Sequence, residues 1–144
     1  MTIRDILARK GTDVVTISPE ETVLEAMRKL VQHGIGSVVV TEGDTVVGIL
    51  TERDVLRLGA QDPRALYSRT VREAMTPDPV VALPEDSIEF VMEIMTRNRI
   101  RHLPVMDGGT LGGLLSIGDV VNALRTSIEA ENRHLRDYIG GVLR

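Results

Sequence analysis

A chain of 144 residues with 42% hydrophobic content can fill one compact domain, or two half-size units that share a core. One phenylalanine, two tyrosines and no tryptophan make that core aliphatic, and the absence of cysteine excludes disulfides, thiolate metal sites and cysteine nucleophiles. A net charge of −4 argues against a general nucleic-acid binder, though not against one small anion in a local basic pocket. No apolar run reaches the length of a membrane span or forms a signal-peptide core, so a soluble, cytoplasmic protein is expected.

Thr2 is positioned to cap a short helix over residues 2–9, with Ile3, Ile6 and Leu7 on its apolar side. Val14 to Ile17 reads as a β-branched strand. Ser18-Pro19-Glu20-Glu21 then reads as a helix start, with a capping residue, Pro in the first turn and acids at the positive end. Val23, Ala26, Met27, Leu30 and Val31 recur at helical spacing, predicting an amphipathic helix to about Gln32, ended by His33-Gly34. Ser37–Thr41 and Thr45–Leu50 form a hairpin around Glu42-Gly43-Asp44, and Thr51 starts a helix through about Leu58. Residues 59–69 are a polar connection. The order then returns: a strand near Val80–Ala82, a helix from about Asp86 to Asn98, strands at His102–Met106 and Leu111–Leu115, and a longer helix from Ser116.

That return is an internal duplication. Residues 15–55 and 80–120 align without gaps at a shift of 65, with 12 identities in 41 positions. A prelude also repeats: Thr2-Ile3-Arg4-Asp5-Ile6-Leu7 resembles Thr70-Val71-Arg72-Glu73-Ala74-Met75 at a shift of 68. The first copy therefore carries three extra residues, within Ala8-Arg9-Lys10-Gly11-Thr12. The expected limits are 1–62 for the first unit, 63–69 for the connection, 70–126 for the second unit and 127–144 for a helical tail. Each unit is strand–helix–strand–strand–helix, an α+β (mixed α/β) arrangement too small to bury its apolar face alone, so the two must pack as a pair.

The most informative motif is Gly48-Ile-Leu-Thr51-Glu-Arg53-Asp54, repeated as Gly113-Leu-Leu-Ser116-Ile-Gly-Asp119. A hydroxyl followed three residues later by an acid is a helix-capping pattern. The same geometry suits a nucleoside phosphate: free N–H groups and partial positive charge at a helix start favour a phosphate, and a first-turn aspartate can accept from both ribose hydroxyls. Gly48 and Gly113 allow a ligand or a backbone to come close. Arg53, Arg9 and Lys10 are within reach of the first corner as phosphate partners, or are solvated surface cations. Arg97 and Arg99 read as cations suited to a helix C-terminus. His33 marks a helix end, and His134 with Glu131 and Asp137 supplies too few ligands for a metal.

The repeated corner resembles the cystathionine β-synthase (CBS) domain. Pro19-Glu20-Glu21-Thr22 with its twin Pro84-Glu85-Asp86-Ser87, and Ile100-Arg101-His102-Leu103-Pro104-Val105, resemble it too. The chain is similar to a stand-alone tandem CBS pair, or Bateman module, over roughly residues 1–126. The resemblance implies two pseudo-symmetric clefts that take AMP, ATP, ADP or another adenosyl ligand. It implies that Asp54 and Asp119 hold ribose hydroxyls, that Thr51 and Ser116 bind ribose or phosphate, and that aliphatic residues such as Val15, Ile17, Val80 and Val81 sandwich the adenine. Arg101 and His102 stand where relatives place phosphate-contacting cations, where the first copy has Gly36 and Ser37. Two unequal sites are therefore expected, with Arg101 and His102 beside the second corner and Arg53, Arg9 and Lys10 beside the first.

Catalysis has no support: there is no nucleophile elbow, no phosphate-binding Walker loop and no paired acid and base. The expectation is a non-enzymatic adenine-nucleotide sensor that needs no cofactor or metal and acts on an unidentified regulated protein. The alternative is a constitutive dimerisation scaffold with degenerate clefts. Phe90 and Ile94 add a second apolar face to the helix near residues 86–98. That face is expected to contact a second copy, unless the C-terminal segment covers it. Ile128, Leu135, Tyr138, Ile139 and Val142 give the tail an apolar side for packing or oligomerisation.

Overall fold

Both strand-to-helix corners form as their local spacing predicts, because the cap needs only residues three positions apart. The computed structural model describes the backbone of residues 1–143 and the side chains of residues 1–139. The elements are α1 (Ile3–Lys10), β1 (Thr16–Ile17), α2 (Val23–His33), β2 (Ser37–Glu42), β3 (Thr45–Thr51), α3 (Glu52–Gln61), α4 (Ala65–Ser68), α5 (Val71–Ala74) and β4 (Thr76–Pro77). They continue as α6 (Ile88–Asn98), β5 (His102–Asp107), β6 (Thr110–Ser116) and α7 (Ile117–Leu143). One sheet has the order β1-β2-β3-β4, and β5-β6 form a second.

The strand expected at Val80–Ala82 shrinks to a single parallel bridge, Ala82 to Val105. Proline explains the loss. In the first copy the Val39 amide donates to the Val15 carbonyl at 3.2 Å. Its twin in the second copy is Pro104, which has no N–H to offer Val80.

Helices α2 and α6 begin later than the Pro-Glu-Glu/Asp pattern implied. Their caps are Thr22 and Ser87, whose hydroxyls accept from the Glu25 and Phe90 amides. The Pro19–Glu21 and Pro84–Asp86 turns instead receive the preludes, and they do so crosswise. The Ile3 and Arg4 amides donate to the Asp86 and Pro84 carbonyls, both at 2.9 Å. The Val71 and Arg72 amides donate to the Glu21 and Pro19 carbonyls at 2.7 and 2.9 Å. Ion pairs repeat the exchange: Arg4 reaches Glu85 and Asp107, and Arg72 reaches Glu20 and Glu42.

Two aliphatic clusters form the core, and each contains the other copy's prelude. Ile3, Ile6 and Leu7 pack with Ile88, Met95, Leu103 and Leu115. Val71 packs with Val23, Leu30, Val38 and Leu50. The repeats are thus tied together through their hydrophobic cores, as their small size requires. Gly48 and Gly113 serve this exchange. A β-carbon on Gly48 would lie 2.4 Å from Met75 Sδ, and one on Gly113 would lie 2.6 Å from Leu7 Cδ2. The close approach these glycines permit is by the neighbouring prelude.

The tail is no separate element: α7 runs unbroken from Ile117 to Leu143. Ile128, Leu135, Tyr138 and Ile139 along it are exposed. The side chain of Val142 lies outside the described residues. On α2, Val31 is 82% exposed although it was expected in the buried stripe. Eight residues beyond Val23, it has rotated about 80° off that face.

Candidate nucleotide site

Thr51 and Asp54 form a reciprocal capping box. The Thr51 amide donates to Asp54 Oδ2 at 2.9 Å and the Asp54 amide donates to Thr51 Oγ1 at 3.2 Å. The twin bonds at Ser116 and Asp119 are 2.8 and 3.1 Å. The first helical amides, of Glu52 and Ile117, donate to the carbonyls of Gly36 and Arg101 at 2.9 and 2.7 Å. Among the described residues this leaves only the second helical amide of each turn, Arg53 and Gly118, free for an anion. The helix start alone is therefore a smaller anion site than the motif implied, and side-chain cations must supply the rest.

Those cations arrive from the opposite repeat. A cleft of about 240 Å³ is lined by Thr51, Glu52, Arg53 and Asp54, with Thr76 and the Arg99–His102 run. Arg101 therefore faces the first corner rather than the second, and His102 lines both. Lys10 is exchanged likewise: its ammonium donates to Asp119 Oδ2 and to the Leu114 carbonyl, both at 2.5 Å. Arg53 stays at the first corner as expected, whereas Arg101, Arg9 and Lys10 exchange corners because each prelude, and each loop before β2 and β5, reaches across to the other unit.

Arg99, whose sequence position suits a helix-end cation, lines the first cleft. It ends α6 in the left-handed region at φ 55°, where its twin is Gly34 at φ 61°. A non-glycine there is uncommon and strained, so an arginine aligned with a helix-ending glycine was the available signal. The aliphatic candidates lie elsewhere. Ile17 is buried in the first core with Val15 packed beside it, and Val81 is exposed. None of the three lines the cavities at the two corners.

His102 stands between the clefts, lining the Thr51 cavity and also a chamber of about 250 Å³ with Lys10, Ser37 and Ser116. Burial lowers its pKa below the ordinary 6.5, and Lys10 and Arg101 act in the same direction. Glu52 and Asp119 oppose them without prevailing. The neutral ring is therefore the stable form in the fold. Stability should be fully present above about pH 6.5 and fall as pH drops through the depressed folded value. Denaturant midpoints measured from pH 8 to 5 should show this slope in the wild type and lose it in His102→Gln. Asp119 behaves oppositely to its burial. Desolvation raises its pKa, but the Lys10 hydrogen bond and the Ser116 amide outweigh it, so the carboxylate is held below its usual range.

The CBS-domain family model matches residues 2–60 and 71–126, covering both repeats with their preludes. This chain belongs to the CBS-domain family. The CBS pair is 35% identical over 149 residues to the Arabidopsis thaliana protein CBSX3, mitochondrial, spanning 97% of this chain and 72% of that relative. Its fold matches a CBS-domain containing protein of Agrobacterium tumefaciens with a TM-score of 0.81 and 45% identity, over 85% and 92% of the two chains. It also matches the crystal structure of CBSX2 in complex with AMP, with a TM-score of 0.71 and 30% identity over 87% and 96%.

Proposed function

We propose that this CBS pair is a non-catalytic regulatory module that binds an adenine nucleotide, of the AMP, ADP or ATP class, at its two capping-box corners. Binding changes the packing of the repeats or of a dimer, and a regulated protein reads the change through its differential affinity for the two states. The observation that carries this reading is the Thr51–Asp54 cleft, where a carboxylate fit for ribose faces Arg53, Arg99 and Arg101 from a helix start. The AMP complex of CBSX2 supports the ligand class.

Thermal unfolding of the full chain with AMP, ADP, ATP, adenosine and S-adenosylmethionine tests it. A ligand at a hundred times its Kd stabilises by about 2.7 kcal/mol, so the melting point should rise by roughly 5–10 °C. Flat melting curves across all five ligands would sink the reading.

A homodimer belongs to the same proposal. Phe90 on α6 is 48% exposed and Ile94 is half-buried, and Val121 on the adjoining α7 is exposed too, as are Val31 on α2 and Leu56 on α3. The apolar side of α7 beyond residue 126 favours the second reading, a constitutive dimerisation scaffold. Under that reading, nucleotides leave the melting point unchanged while truncation after Thr126 abolishes the dimer. We place the protein in the cytoplasm as part of the proposal. No helix among the described residues is long and apolar enough to cross a membrane.

A further inference from the structure

We propose that Lys10 is a latch on the Ser116–Asp119 cleft, which divides that cleft when it is empty and makes it selective for a nucleoside carrying an anionic group. The inference rests on the nucleotide reading above and specifies one of its two sites.

Lys10 is the partition between two chambers. The inner one, about 250 Å³, has Ser37, His102, Leu114 and Ser116 on its walls. The outer one, about 280 Å³, has Asp5, Arg9, Asp119 and Asn122. Lys10 lines both, while Ser116 faces only the inner and Asp119 only the outer. The capping hydroxyl and the capping carboxylate can meet one ribose only if the ammonium moves.

A second observation concerns a wall of the inner chamber, Ser37. Ser37 is 1% exposed, and its Oγ is buried without a hydrogen-bond partner among the described residues. Such a group is costly unless something satisfies it, and a polar atom of a ligand seated there would do so.

The latch is confined to one corner. Lys10 comes from the three residues that the first prelude has in excess, whereas after Met75 the second prelude turns directly into β4 on β3. Asp54 has no ion pair among the described residues. The consequence follows from charge balance. A neutral nucleoside must take Asp119 from the ammonium and offers it nothing in return. A nucleotide lets the ammonium exchange the carboxylate for a phosphate, a charge-assisted bond of equal kind. Lys10 is the last residue of α1 and is followed by Gly11 at φ 99°, so the side chain moves from a pliable helix end.

Amide NMR of the full chain resolves the corners, with Ser37, Ser116 and Asp119 reporting one and Thr51 and Asp54 the other. In the wild type, AMP should bind the Ser116–Asp119 cleft at least about tenfold more tightly than adenosine. Lys10→Gln should weaken AMP and tighten adenosine, bringing the two within about threefold, while Lys10→Arg keeps the preference. An unchanged AMP-to-adenosine ratio in Lys10→Gln, or an equal loss of both ligands, overturns the latch alone. Absence of shifts at both corners with either ligand overturns the nucleotide reading, and the latch with it.

Discussion

Ile3→Ala is expected to destabilise the protein by about 2–5 kcal/mol, the range for truncating a large buried aliphatic side chain. The residue lies near the N-terminus, in a helix of eight residues, where a substitution would ordinarily be absorbed. Here Ile3 is fully buried and packs in the second repeat's core with Ile88, Met95 and Leu115. Domains of this size have only about 5–15 kcal/mol in total, so the loss is a large share. Because each core holds a segment from both copies, urea unfolding should remain a single transition with an unchanged m-value and a lower midpoint. Val71→Ala makes the reciprocal test in the other core, at a smaller cost. A loss below about 1 kcal/mol for Ile3→Ala, or two separate transitions in the wild type, would contradict the exchange of preludes.

Asp54→Asn should abolish nucleotide binding at the first corner while keeping the fold. The asparagine oxygen can still accept from the Thr51 amide, so the cap largely survives. What disappears is the negative charge and the second acceptor oxygen that a ribose diol would use. Affinity at this cleft should fall at least about tenfold, or 1.4 kcal/mol, and the nucleotide-induced melting shift should retain only the part due to the other corner. Calorimetry would show one binding event in place of two. Asp54→Ala adds the cap loss, about 0.5–2 kcal/mol, so comparing the two variants separates folding from recognition. An Asp54→Asn protein that binds AMP as the wild type does would remove Asp54 from the site.

Much of this molecule was legible in the chain because it is local or periodic. The capping boxes at Thr51–Asp54 and Ser116–Asp119 depend on an i, i+3 spacing, and the hairpins on short Gly-containing turns between apolar runs. Other features were hidden for definite reasons. The loss of the strand at Val80 depends on which residue Pro104 would have paired with across a gap of more than twenty positions. Arg99 looked like an ordinary helix-end cation until its left-handed backbone placed it in a cleft wall.

The sequence by itself determined that there are two equivalent corners, each a helix start with a hydroxyl and an acid, because those bonds lie within four consecutive residues. Only the tertiary structure decided which cations serve which corner. Arg101 follows the first copy of the motif by nearly fifty residues yet lines its cleft, and Lys10 precedes the second by more than a hundred yet bonds Asp119. Neither half can bury its apolar face alone, so each borrows the other's prelude. That exchange of hydrophobic surface carries the charged residues across with it.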